Sequence, residues 1–157
     1  MREDGASSEA IRFTEMTDTT GYVRQFACAG NVGIAYVDYP FRANENLGII
    51  LVNGDPPMID VDDFRYVDLE KLKRDSTYLK LVSRYPDASL WPGDRFNTSE
   101  PHAVSLKNGH EGFIVTYTIR NGCHACEEIG TVRFEFVFGK EGRFMGTTLL
   151  RVIPSVR

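Results

Sequence analysis

The 157-residue chain has little in it that announces a chemistry. It carries no H-E-x-x-H pair, no phosphate-cradling glycine-rich loop, no G-x-S-x-G elbow and no calcium-loop spacing. Zinc-protease, nucleotide-loop, serine-hydrolase and EF-hand readings therefore have no motif to stand on. No apolar run approaches the roughly 20 residues of a membrane helix. Positive charge is not in excess, since the net charge is -4, and neither nucleic acid nor an anionic membrane is an expected partner. Met1 to Ser8 are polar and acidic, unlike the basic start and apolar continuation of a signal peptide. The expectation is a cytoplasmic protein if the chain is complete and an exported one if a leader was removed. Internal repeats and low-complexity linkers are absent too.

What is present is an ordinary globular composition, 42% hydrophobic and 25% charged, which excludes global disorder and a coiled-coil or collagen-like chain. One domain over 1–157 is expected, with residues 1–7 frayed. A domain of this size buries about two thirds of its unfolded surface and needs no metal or disulfide to fold.

Local patterning gives an element order. A short helix is read over Ser8–Met16. Asp18 can cap a second over Thr19–Ala29, where Tyr22, Val23, Phe26 and Ala27 have the spacing of a buried helical stripe and Gly30 a left-handed stop. Val32–Tyr39 and Leu47–Val52 read as strands. Asp68 caps a long helix to Arg84, with Leu69, Leu72, Leu79 and Val82 inward and Pro86 beyond its end. Residues 86–101, rich in proline and holding the only tryptophan, Trp91, read as a loop.

The C-terminal third reads as a four-stranded antiparallel meander. Val104 and Leu106 lead into an Asn108-Gly109 hairpin turn, which would set His102 opposite Val115. Phe113, Val115, Tyr117 and Ile119 share one face of the next strand, and Val132, Phe134, Phe136 and Phe138 one face of the third. After a Lys140-Glu141-Gly142 turn, Arg143–Ile153 returns, with Phe136 opposite Gly146 and Phe134 opposite Thr148. The fold class expected is thus α+β: N-terminal helices and one long helix packed on a curved, mainly antiparallel sheet. That order resembles the nuclear transport factor 2-like superfamily and, more loosely, cystatin-like folds. The resemblance implies helices against a curved sheet, often enclosing a conical pocket, in a group that includes enzymes, binding modules and assembly domains.

Asn121 to Gly130 holds the one unusual loop, Cys123-His124-Ala125-Cys126 followed by Glu127 and Glu128. Four readings stay open: thiol–disulfide chemistry, a structural disulfide, half of a zinc site, and reduced cysteines with no chemistry. Against redox work stand the missing helix N-terminus and the two acids, which raise a thiol pKa. Against zinc stands the lack of a second half-site near the loop. No catalytic role and no metal are expected there, and no cofactor elsewhere.

The remaining candidates follow from the sheet. Tyr117, Phe134, Phe136 and Phe138, with Trp91, could line a pocket for a small apolar ligand. His102 with Tyr117 is the only acid–base pair on offer, and it would make the protein an isomerase, dehydratase or hydrolase. A solid core would instead make it a structural or interaction domain. Asp55, Asp60, Asp62 and Asp63 read as a solvated edge, with a weak cation site as the alternative. The other sheet face, mixing Thr116, Arg133, Glu135, Met145, Thr147 and Leu149, has the make-up of a homodimer surface.

Overall fold

The computed structural model describes residues 8, 21–40, 42, 46–93, 95, 101–106 and 109–155. The helix expected over Ser8–Met16 and the frayed end lie outside these, Ser8 apart. The described chain forms two antiparallel sheets. Strands β1 (Tyr22–Ala29), β2 (Val32–Asp38), β3 (Leu47–Val52) and β4 (Met58–Asp60) pair in simple sequence order. In the second sheet β5 (Ala88–Pro92), β7 (Glu111–Asn121), β8 (Glu128–Phe138) and β9 (Phe144–Pro154) follow one another, and β6 (His102–Ser105) pairs with the other half of β7. A 3-10 turn (Phe64–Tyr66) and two short helices, α1 (Leu69–Lys73) and α2 (Ser76–Arg84), connect the sheets. No helix among the described residues is long and apolar enough to cross a membrane.

This corrects the expected α+β architecture: two sheets pack on each other, and the long helix does not exist. The expected N-terminal helix is β1. A bulge between Val23 and Gln25 shifts its register, so Val23 opposite Val37 and Phe26 opposite Ala35 share a face although three residues apart. That spacing imitates a helical stripe. Gly30 is left-handed as expected, at φ 85°, but it serves the β1–β2 turn. The expected helix from Asp68 to Arg84 is broken at Asp75, whose carboxylate accepts from the Thr77 and Tyr78 amides at 2.9 Å and starts α2 afresh. The new phase turns Leu81 inward with Leu72 and leaves Leu79 52% exposed. Trp91 belongs to a strand, β5, rather than a loop. The element order behind the family resemblance is therefore not the observed one.

Between the sheets lies one core. Ile34, Tyr36, Ile49, Leu51 and Ile59 come from the first sheet, and Phe113, Val115, Tyr117, Ile119, Val132, Phe134, Phe136 and Phe138 from the second. Each fully buried apolar side chain of this size contributes about 1.5–3 kcal/mol. The first sheet is buried on its outer side as well, where Ala35, Val37, Tyr39, Ile50 and Val52 form a second cluster with Val23, Phe26 and Met58. Burial on both faces explains the unbroken apolar run of β3.

One end of the sandwich is sealed by bonds between turns. The Glu111 carboxylate accepts from the Asn31 amide at 2.7 Å and the Val32 amide at 3.2 Å. The Asp55 amide donates to Gly142 O, and the Phe144 amide to Asp55 O, both at 2.8 Å. Gly142, left-handed at φ 77°, brings its backbone close enough to Gly54 for this contact.

Candidate functional site

The aromatic face expected to line a pocket is a filled core. Tyr117, Phe134, Phe136 and Phe138 are all 0% exposed. Tyr117 stands edge-on to Phe134 with ring centres 5.9 Å apart and meets Phe64 at 5.7 Å. Its hydroxyl donates to Val61 O, and burial holds its pKa well above the ordinary tyrosine value. Trp91 is not with them. It sits opposite Thr118, on the outer face of the second sheet.

His102 and Tyr117 are not brought together either. The Leu106 amide donates to His110 O, and the β6–β7 register is one residue off the expected one. His102 consequently faces Ile114 instead of Val115 and projects from the exposed outer face, while Tyr117 points into the core. A one-residue slip inverts every side chain of a strand.

A cleft does open where the sequence offered no pocket, on the outer face of the first sheet. Two glycines of this sheet take rings in place of side chains. A Cβ at Gly48 would lie 2.7 Å from the Tyr39 ring, and one at Gly33 would lie 2.6 Å from Phe26. Tyr39 thus lies over β3 as one wall, with the Arg42 guanidinium 3.8 Å above its ring centre. Val37, Ile50 and Met58 are the floor, and Asp60, Asp63, Arg65 and Tyr66 close the far side around about 330 Å³.

The acidic stretch, expected to be solvated, is divided among three tasks. Asp60 pairs across from Ile50 at the end of β4, so its carboxyl is held on an apolar sheet face. Burial is the main cause that raises its pKa from 3.8 to about 6; the neighbouring Asp62 charge adds to this, while the Asp62 amide, donating at 2.9 Å, and Arg42 pull against it. Asp63 caps the Phe64–Tyr66 turn and grips Arg65 at 2.6–2.9 Å, which lowers its own pKa. Asp62 faces the other way and pairs with the buried Arg95. Only a count of apolar neighbours around Asp60, Ile59 and Val61 above all, could have marked this carboxyl in the sequence. Asp55 is exposed and serves the sealed end through its backbone.

The cysteine loop is built onto β5. Cys123 and Cys126 are joined as a disulfide. The Trp91 indole N–H donates to Gly122 O at 3.1 Å, and its ring meets His124 edge-on at 5.4 Å. The Arg120 guanidinium donates to Cys126 O at 2.9 Å. Cys28 is exposed on β1 and outside this pair. Among the described residues, no three His, Cys, Asp or Glu side chains converge in a way that could hold a metal ion. Sequence and structure comparisons add nothing to this picture: no family model, curated protein or solved structure matches the chain.

Proposed function

We propose that this protein is a small binding module that holds an amphipathic molecule in the cleft beneath Tyr39, rather than between helices and sheet. The observation that carries the reading is Asp60, a carboxyl on an apolar sheet face that is part protonated near neutral pH and borders a cavity. A titratable group perturbed by burial, set in a cleft, is the mark of a functional site. The volume lies near the lower bound of ligand pockets, about 300 Å³, which suits a molecule of one or two rings. The aromatic wall and apolar floor would take its flat body. Asp60 would take a hydrogen-bonding group, donating when protonated and accepting when ionised.

Gly48→Ala tests this, because a methyl there would lie 2.7 Å from the Tyr39 ring and must displace this wall of the cleft. A fragment library of aromatic amines and carboxamides, screened by NMR, should give binders that shift the Asp60 carboxyl carbon in the wild type. Their affinity should fall about tenfold or more in the variant, equivalent to ~1.4 kcal/mol. Binders that leave Asp60 unmoved, or bind the variant equally, would refute the cleft.

Self-association is a second reading, and a different observation favours it. Strand β9 is an 11-residue edge of the second sheet, with Met145 61%, Leu150 43% and Ile153 36% exposed. Long apolar edges invite pairing with another chain. Bulges in the β8–β9 pairing turn Thr147 opposite Phe136 and Leu149 opposite Phe134, both inward, so the outward residue to test is Leu150. Leu150→Asp should convert an associated species to a monomer in light scattering, with unchanged circular dichroism. A wild type already monomeric at high concentration would end this reading.

A further inference from the structure

The cysteine loop has the parts of an exchange site. Its two cysteines are unequally placed, Cys123 exposed and Cys126 half-buried. The missing helix N-terminus has a substitute. Arg120 reaches into the loop from β7 and is anchored on the carbonyl of Cys126 itself. Its Nε is buried without a hydrogen-bond partner, and Glu128 stands opposite it in the β7–β8 register. Its charge thus lies beside the loop in a half-buried place, where screening is weak. Glu127 and Glu128 are exposed, so water and salt weaken their opposing effect on a thiolate.

We propose that Cys123–Cys126 is an exchangeable disulfide that oxidises a dithiol, with Cys123 as the attacked sulfur and Cys126 as the leaving group. A thiolate of the dithiol attacks Cys123 Sγ. The Cys123–Cys126 bond breaks, and its electron pair leaves on Cys126 as a thiolate beside Arg120. The second thiol of the dithiol, having given up its proton, attacks its own sulfur in the mixed disulfide and expels Cys123 as a thiolate. The dithiol ends as a disulfide, two electrons and two protons poorer, and the protein ends as the dithiol. Leaving-group ability follows thiolate stability, which is what Arg120 supplies. Trp91, through Gly122 and His124, reads the state of the loop.

The test uses the full chain with Cys28→Ser, so that only the loop sulfurs react. Dithiothreitol is the dithiol. Reduction should be complete and should change the emission of Trp91, the only tryptophan. With Cys126→Ser, the remaining Cys123 should form a mixed disulfide with an aromatic disulfide reagent at least about tenfold faster than Cys126 does in Cys123→Ser, in line with the dependence of exchange on access. In reduced Cys123→Ser, adding Arg120→Met should make Cys126 titrate about one pH unit higher by alkylation rate, as loss of an adjacent cation requires. A disulfide that resists dithiothreitol, or two sulfurs that react alike, would overturn the proposal, and neither result depends on how R120M folds. An unmoved Cys126 titration in a folded R120M would overturn the role given to Arg120.

Discussion

Arg95→Met is expected to destabilise the fold by about 3–5 kcal/mol, the range for breaking a buried ion pair from one side. The Arg95 side chain is 4% exposed and that of Asp62 is 19% exposed. The guanidinium meets both carboxylate oxygens, donates to Thr116 O at 3.1 Å and lies 5.5 Å from the Tyr117 ring centre. Methionine keeps much of the apolar stem, so the loss reports the head group. It strands Asp62 in a half-buried place beside Asp60, which repels it, and leaves the Thr116 carbonyl without this donor. Adding Asp62→Asn should recover part of the loss, because the uncompensated charge is most of the cost. Urea unfolding of both variants measures this. A single-variant loss below about 1 kcal/mol would show that the pair behaves as a surface bridge.

Asp60→Asn should do the opposite and stabilise the protein at neutral pH. The unfolded carboxyl releases its proton near 3.8, and the folded one holds it to about 6. Within that window the native state binds more protons than the unfolded state, so stability falls as pH rises. At about 1.4 kcal/mol per pKa unit, the ionised Asp60 costs about 2–3 kcal/mol above pH 6. Asparagine is nearly the same size, carries no charge and can still accept from the Asp62 amide. The gap between variant and wild type should thus be near zero below pH 4, grow to pH 6 and then stay constant. Unfolding free energies across this range provide the check. A gap that is flat with pH, or an Asp60 carboxyl carbon that titrates near 4, would sink both this prediction and the reading of the cleft.

Some of this was legible in the residues and some was not, for physical reasons. Strands β2, β3, β7 and β8 follow their apolar patterns, because alternation or unbroken burial runs undisturbed through Phe113–Ile119 and Val132–Phe138, and the β7–β8 bulge falls beyond them, between Ile119 and Arg120. β1 and β9 contain bulges, and a bulge changes the parity on which alternation depends. In β1 the result imitates a helix. In β9 it exchanges Thr148 for Leu149 opposite Phe134. Asp75 starts α2 afresh through local hydrogen bonds to the Thr77 and Tyr78 amides, which the apolar stripe did not reveal. The aromatic face of β7 and β8 reads correctly as buried, but only the first sheet, packed against it, shows that its space is full. The cleft went unread because Tyr39 lines it by lying over Gly48, a contact between residues that look unrelated in the chain.

The sealed end of the sandwich has a consequence for the order in which the molecule can form. Within each sheet, strands pair with partners close in sequence, so the first sheet can zip from β1 to β4 through short loops. The bonds of Glu111 to Asn31 and Val32 join positions 80 and 79 residues apart. Closing so large a loop costs entropy before any contact repays it. During synthesis from the N-terminus, the first sheet is therefore complete while its inner face, with Ile34, Ile49 and Leu51, has nothing to pack on. It is left waiting until β7 and β8 emerge. For that interval the nascent chain exposes an apolar surface that the finished protein never shows, and it is then a client for whatever holds unfinished chains apart.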